Sequence, residues 1–425
     1  MKNILGGFLI LFFCNQLPVW VWGQKIYIAQ VHSVKLFPYG NQQGFPVLRL
    51  GSSDRLELHF DDLDGDVKNY YYSFQLCNED WTPALLNPFD FIRGYSQIRL
   101  NTYRNSSIAL TKYTHYQAII PDRNSAPAKS GNYLLKVFLD GDTSRLVFTR
   151  RFVVVEEKAT VQAQVQQPFN AAYFRSHQKV QFLVNTGNMN ITVPNQQIKV
   201  VVLQNDRWDN AARNFPPTFI RRNVLEYNTE QYTVFPAGKE WRWLDLRSFR
   251  LQSDRVLRAE YKTASTDIFL KPDTERSNAP VAFYDDINGR YMISVSENIN
   301  PYWQGDYARV HFSYFPPGNI PYNGKELIVF GELTDYGSNP AAKMTFNADR
   351  GAYEASLFLK QGYYDYSYAL VDPDDKNATG DLMITEGNNW ETENTYTILV
   401  YYRPLGGRAD ELIGYTRVSS LFRRN

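Results

Sequence analysis

Short runs in which apolar and polar residues alternate recur along the chain at intervals of about ten to twenty residues, with turn formers between them. In residues 55–60, Leu56, Leu58 and Phe60 alternate with Glu57 and His59, and in residues 69–76, Tyr70, Tyr72 and Phe74 share one face. A period of two puts successive side chains on opposite faces of a pleated strand, so both runs predict half-buried strands. Residues 134–139, the turn Asp140-Gly141-Asp142 and the run Leu146–Val155 predict a hairpin. Further strands are predicted at 180–184, 198–203, 255–261, 267–270 and 327–331, through Tyr353, Ala355, Leu357 and Leu359, through Tyr364, Tyr366, Tyr368 and Leu370, and at Thr395–Tyr402. Asn288-Gly289, flanked by residues 283–287 and 290–295, predicts a tight hairpin with both turn residues left-handed. Helical periodicity over three turns is almost absent.

This pattern predicts an all-β chain of tandem immunoglobulin-like or fibronectin-like sandwiches. The divisions expected are residues 24–157, a β-rich middle domain at 158–295, and a C-terminal early-set-like sandwich at 296–425. Each segment, at roughly 130 residues, is large enough to hold its own core. Thirty Tyr and 27 Phe strengthen the strand reading, because aromatic side chains fit a pleated, half-covered surface.

The N-terminus changes the picture of compartment. Met1-Lys2-Asn3 is a short basic start, residues 4–13 are apolar, and Val21-Trp22-Gly23 ends in small side chains, so cleavage between Gly23 and Gln24 is expected. The apolar run is too short to span a bilayer, which takes about 20 helical residues. Phe12-Phe13 before Cys14 argue against a lipidation signal. Only Cys77 remains after cleavage, so no disulfide can form within the mature chain. Lys plus Arg number 45 and Asp plus Glu 44, with the signs interleaved, which disfavours nucleic acid and an anionic membrane surface, and charged residues break the later apolar runs every few residues, which disfavours direct membrane insertion.

Candidate chemistry is thin. The acidic run at 61–66 invites weak calcium binding, but a loop of the EF-hand type starting at Asp62 would need Gly and Glu where Val67 and Ser73 stand. The five His residues (32, 59, 115, 177 and 311) show no metal-ligand spacing, and no nucleophile elbow, phosphate loop or dinucleotide fingerprint occurs. No cofactor, metal or enzymatic activity is expected. Two polar strand-end loops stand out instead. One holds Asn205, Arg207 and Trp208, the other Asn388, Trp390 and Asn394. Trp and Arg anchor many protein interfaces, and large aromatics also fold back to seal sandwich ends, so both roles are open for these loops.

A set of ordered motifs resembles the plug protein family of the Bacteroidetes type IX secretion system along nearly the whole mature chain. The motifs are Phe60-Asp61-Asp62-Leu63, Cys77-Asn78-Glu79-Asp80-Trp81, Tyr113-Thr114-His115-Tyr116, Trp241-Arg242-Trp243, Asp286-Ile287-Asn288-Gly289-Arg290, Asp306-Tyr307, and Glu393-Asn394-Thr395-Tyr396. The resemblance implies a periplasmic, non-enzymatic protein, monomeric when free and peripheral at the outer membrane. Its implied partner is the outer-membrane translocon barrel, whose periplasmic opening it closes when no substrate is present. The alternative is a carbohydrate-binding sandwich, carried by Gly331-Glu332-Leu333, Met344, Gly351-Ala352-Tyr353 and the tyrosines of 362–366. Sugar binding needs exposed aromatic platforms, whereas alternation places Tyr366 and Tyr368 on the core side with Leu370.

Overall fold

The computed structural model describes residues 24–375 and 379–421, so the expected leader with Gly23 lies outside the described residues. Nearly all regular structure is strand, arranged as three two-sheet sandwiches. In the first, Tyr70–Cys77, Gly131–Leu139 and Leu146–Val155 form the centre of one sheet, which faces a second sheet of Val31–Pro38, Leu56–Asp62, Thr114–Ile120 and Thr102–Asn105. Phe60 sits between them, its ring 5.1 Å from those of Tyr70 and Tyr116 and 5.0 Å from that of Phe148. The alternating Leu56, Leu58 and Phe60 are fully buried, as the period of two requires. The hairpin at 131–155 forms as predicted, with Asp140 and Gly141 at positive φ in its turn.

The middle sandwich packs Thr160–Gln166, His177–Asn185, Val224–Tyr227 and Phe219–Arg221 against Ala212–Arg213, Ile198–Gln204, Thr395–Tyr402 and Glu411–Ser419. The last two strands come from the end of the chain. The third sandwich places Gly362–Val371, with Arg242–Asp245, Tyr291–Ile293 and Glu326–Phe330, over Val256–Tyr261, Thr266–Leu270, Tyr307–Phe315, Ala352–Lys360 and Thr345–Asn347.

The sheets therefore depart from the expected divisions at 158–295 and 296–425. The third sandwich is inserted into the middle one, between Val234–Pro236 and Thr395–Tyr402. Ile198–Gln204 needs a partner on its open edge, and Thr395–Tyr402 supplies an uninterrupted antiparallel register from Ile198↔Tyr402 to Gln204↔Tyr396. Local alternation identifies a strand but says nothing about which distant strand it pairs with.

The hairpin expected at Asn288-Gly289 is half realised. Both residues are left-handed, with φ of 56° and 76°. Residues 283–287, however, form no strand, and Tyr291–Ile293 pairs instead with residues 362–364. The Asp365 carboxyl group takes the place of the missing strand: its Oδ2 accepts from the N–H groups of Ile287 at 2.6 Å and Gly289 at 3.2 Å.

Candidate functional site

The motifs that stood out in the sequence converge on the seams where the three sandwiches meet, and each sandwich touches both others. Between the first and third, Asp61 is the hub. Its Oδ2 accepts from Lys360 Nζ at 2.5 Å and from the Tyr307 hydroxyl at 2.5 Å, while His115 Nδ1 donates to Oδ1 at 2.7 Å. Asp61 and Lys360 are each only about 1 % exposed as side chains. Burial alone would raise the Asp61 carboxyl, but the Lys360 ammonium and the His115 hydrogen bond outweigh it and hold the carboxyl below its usual range. Burial lowers His115 to about 4, so it is a neutral donor at neutral pH.

Around this hub, Tyr302 of the third sandwich stacks on His59 at 4.1 Å, and His59 lies 3.1 Å from His115. Lys360 sits 4.2 Å from the Tyr113 ring centre, and the Tyr113 hydroxyl donates to Gly305 O at 2.6 Å. Tyr116 turns inward instead, stacking on Phe60 and fixing Lys68 through its hydroxyl. A second tie joins Lys35 to Glu332 at 2.7 Å and to Tyr291 O at 2.9 Å. The sequence had His59 and His115 as unrelated; pairing of Leu56–Asp62 with Thr114–Ile120 brings them together.

Between the first and middle sandwiches lies an apolar seam of Phe45, Val153, Val155, Val201, Leu203, Leu399, Tyr401 and Leu412. Trp81 meets Trp208 edge-on at 4.8 Å, beside Cys77 and Leu134, and Arg151 lies over the Trp81 ring at 4.5 Å. Asp80 shapes this corner by accepting from Thr82 N–H at 2.9 Å, with Trp81 itself at positive φ. Burial pushes the Cys77 thiol up to about 12, so it stays protonated and inert. Trp208 thus belongs to a seam within the chain and is not a free anchor. Trp208→Ala is expected to cost about 2 kcal/mol, less than a fully buried Trp because the ring is half-exposed, and urea denaturation checks it.

The remaining loop residues lie where the chain crosses between the middle and third sandwiches. Within the middle sandwich Asn205 Nδ2 donates to Asn394 Oδ1 at 2.8 Å, between the two crossing segments Asn388 Oδ1 accepts from Gly238 N–H at 2.8 Å, and Trp390 O ties the returning segment to Gln178 Nε2 of the middle sandwich at 2.6 Å. Arg207 lies over the Phe330 ring at 4.7 Å, and the Tyr396 hydroxyl donates to Gln178 Oε1 at 2.8 Å. Asn288 Nδ2 donates to Glu393 Oε2 at 2.7 Å, and Asp206 pairs with both Arg290 and Arg417. Asn205, Arg207, Asn388 and Asn394 line a cleft of about 410 Å³ along this seam.

Among the described residues, Asp62, Asp64 and Asp66 are the one acidic group whose oxygens lie close enough to share an ion. Lys68 occupies that position, 2.8 Å from Asp62 and paired also with Asp64, so an ammonium of the chain itself neutralises the turn. Most tyrosines of the carbohydrate alternative are core: Tyr364, Tyr366 and Tyr368 are buried, the last two donating to Asp273 Oδ2 at 2.8 and 2.9 Å, while Tyr363 is half-buried. Glu332 and Tyr353 are likewise engaged, the first by Lys35 and the second by the Tyr322 N–H.

Comparison with known proteins fits this arrangement. A family model described as the first domain of the type 9 secretion system plug protein matches residues 31–156, which is the first sandwich. The chain belongs to the type IX secretion system plug family. It is also similar to a crystal structure of a hypothetical protein from Parabacteroides merdae, with 30 % identity, a TM-score of 0.89, and coverage of 93 % of this chain and 99 % of that one. The likeness therefore extends over all three sandwiches, well beyond the family's first domain. No curated protein matches the chain. Membership of the plug family ties the protein to type IX secretion, and no helix among the described residues is long and apolar enough to cross a membrane.

Proposed function

We propose that this protein is a periplasmic, non-enzymatic stopper that docks on the outer-membrane translocon barrel of the type IX system and closes its periplasmic opening when no substrate is engaged. The observation that carries the reading is the plug-family match over the first sandwich. Its geometry supports it physically. A stopper must resist deformation, and here every pair of sandwiches is fastened by buried polar or apolar contacts rather than by linkers. Tandem sandwiches on flexible tethers would leave a wide pore leaky.

The docking anchors we assign are Leu85 and Phe89. Each is 83 % exposed, on a turn held rigid by a capping box in which Asn87 and Asp90 exchange side-chain to backbone hydrogen bonds. Displaying two large apolar side chains on a stiff support is what an interface anchor requires. Affinity purification of the tagged protein from solubilised membranes tests the reading. Co-recovery of the barrel is expected, and recovery of the free chain alone under conditions that preserve other translocon contacts would sink it. The double variant Leu85→Asp/Phe89→Asp is expected to reduce barrel recovery at least about tenfold with an unchanged melting temperature, since neither side chain contributes to a core.

A further inference from the structure

Residues 237–241 carry the chain out of the middle sandwich into the third, and residues 386–394 bring it back. Four carboxyl groups gather where these two crossings run together. Glu240 lies on the outgoing segment and Glu393 on the returning one, while Asp286 and Asp365 belong to the third sandwich. Glu393 N–H donates to Glu240 Oε1 at 3.3 Å, Trp241 N–H to Asp286 Oδ2 at 2.6 Å, and Asn288 N–H to Asp286 Oδ1 at 2.8 Å. Glu240 Oε2 is buried and meets no hydrogen-bond donor, so that oxygen has nothing to stabilise a negative charge. Glu240 is 3 % exposed and Asp365 fully buried, and Asp365 Oδ1 faces no donor.

The positive groups nearby are committed elsewhere. Arg276 gives Nε to Glu386 and Nη2 to the backbone oxygen of Glu240. Lys239 Nζ donates to the carbonyls of Arg276, Ser277 and Ala279 at 2.6, 3.0 and 2.9 Å. Arg242 serves Glu386 and Asp273, and Arg290 serves Asp206. The Tyr284 hydroxyl donates to Trp241 O at 2.6 Å, and the half-buried Tyr363 lies two residues before Asp365 on the same strand. These carboxyls also lack the mutual spacing of an ion site, which among the described residues only Asp62, Asp64 and Asp66 have. Protons are therefore the neutralising species that fits.

We propose that this carboxyl group is a proton-operated latch on the joint between the middle and third sandwiches, closed while Glu240 and Asp365 hold their protons and loosened when they lose them. Burial, with Asp286 adding to it, raises both groups to about 8, and burial raises Asp286 to about 6. A carboxyl raised on folding gives a contribution that is complete below its unfolded value near pH 4 and lost as pH climbs through the folded value. The joint should accordingly weaken progressively from about pH 4 to about pH 8 and change little above that.

Hydrogen exchange of the full mature chain, followed by mass spectrometry, tests this. Peptides covering residues 237–245, 284–292 and 386–394 are expected to lose protection about tenfold from pH 6 to pH 9, after correction for intrinsic exchange, while residues 131–155 hold theirs. Glu240→Gln with Asp365→Asn mimics the protonated side chains and is expected to flatten that profile. A flat profile in the wild-type chain overturns the latch, and so does an unchanged fall in the double variant. Recovery of protection by millimolar calcium at pH 9 would overturn it as well, because a metal would then be the neutralising species.

Discussion

Lys360→Met is expected to destabilise the chain by about 4 kcal/mol. Lys360 and Asp61 form an ion pair from which water is almost wholly excluded, across the seam between the first and third sandwiches. Removing the ammonium leaves the Asp61 carboxylate buried with only the Tyr307 hydroxyl and neutral His115 to solvate it. Most of the loss is the cost of that uncompensated charge rather than the worth of the pair. Asp61→Asn combined with Lys360→Met removes both charges and is expected to recover about half of the loss. Urea denaturation of Lys360→Met, Asp61→Asn and the double variant decides the matter, and additive losses in the double variant would show that the two side chains do not act as a pair.

The same hub sets the acid limit of the fold. The Asp61 and Glu386 carboxyls are held below their usual range, Asp61 by Lys360 and His115, Glu386 by Arg242 and Arg276, in each case against the upward push of burial. Their contribution is present above the unfolded carboxylate value and lost as pH falls through the folded one. Loosening at acid pH therefore begins at the first–third seam and within the third sandwich. On the alkaline side it begins at the carboxyl latch.

Gly289→Ala is expected to cost about 3 kcal/mol, for two separable reasons. Gly289 has a φ of 76°, which an L-residue adopts only at a cost of about 1 kcal/mol. A Cβ there would also lie 2.5 Å from Cζ2 of Trp241. That ring cannot retreat: it is buried, stacked on Phe330 at 6.1 Å, and its backbone N–H is held by Asp286. Gly238→Ala is the control. Its φ is 69°, but a Cβ would meet nothing within 4 Å, so only the conformational part of about 1 kcal/mol is expected. Equal losses in the two variants, measured by urea denaturation, would remove the close approach of Trp241 as the reason for glycine at 289.

Trp241 and Gly289 show how far sequence reasoning reaches. Asn288-Gly289 announced its left-handed turn because few residues other than Gly and Asn tolerate positive φ, and that is a local property. The hairpin inferred from it did not form, since Asp365, 76 residues away in sequence, takes the turn's N–H groups. The polar loops with Asn205, Arg207, Trp208, Asn388, Trp390 and Asn394 were legible as unusual. That Trp208 and Arg207 reach across seams inside the chain was not legible, because a loop facing a neighbouring sandwich has the same composition as one facing a foreign partner.

The sequence by itself determined the strand class, the inward faces carrying Leu56, Leu58, Phe60, Tyr366 and Tyr368, the left-handed turns, and the motifs of the plug family, because period, turn chemistry and short motifs are local quantities. Tertiary structure alone decided that Thr395–Tyr402 completes the middle sandwich, that His59 and His115 meet over Asp61, and that Lys68 fills its own acidic turn. Those outcomes depend on which sheet faces pack together, and a strand's alternation marks its buried face without naming what will cover the other.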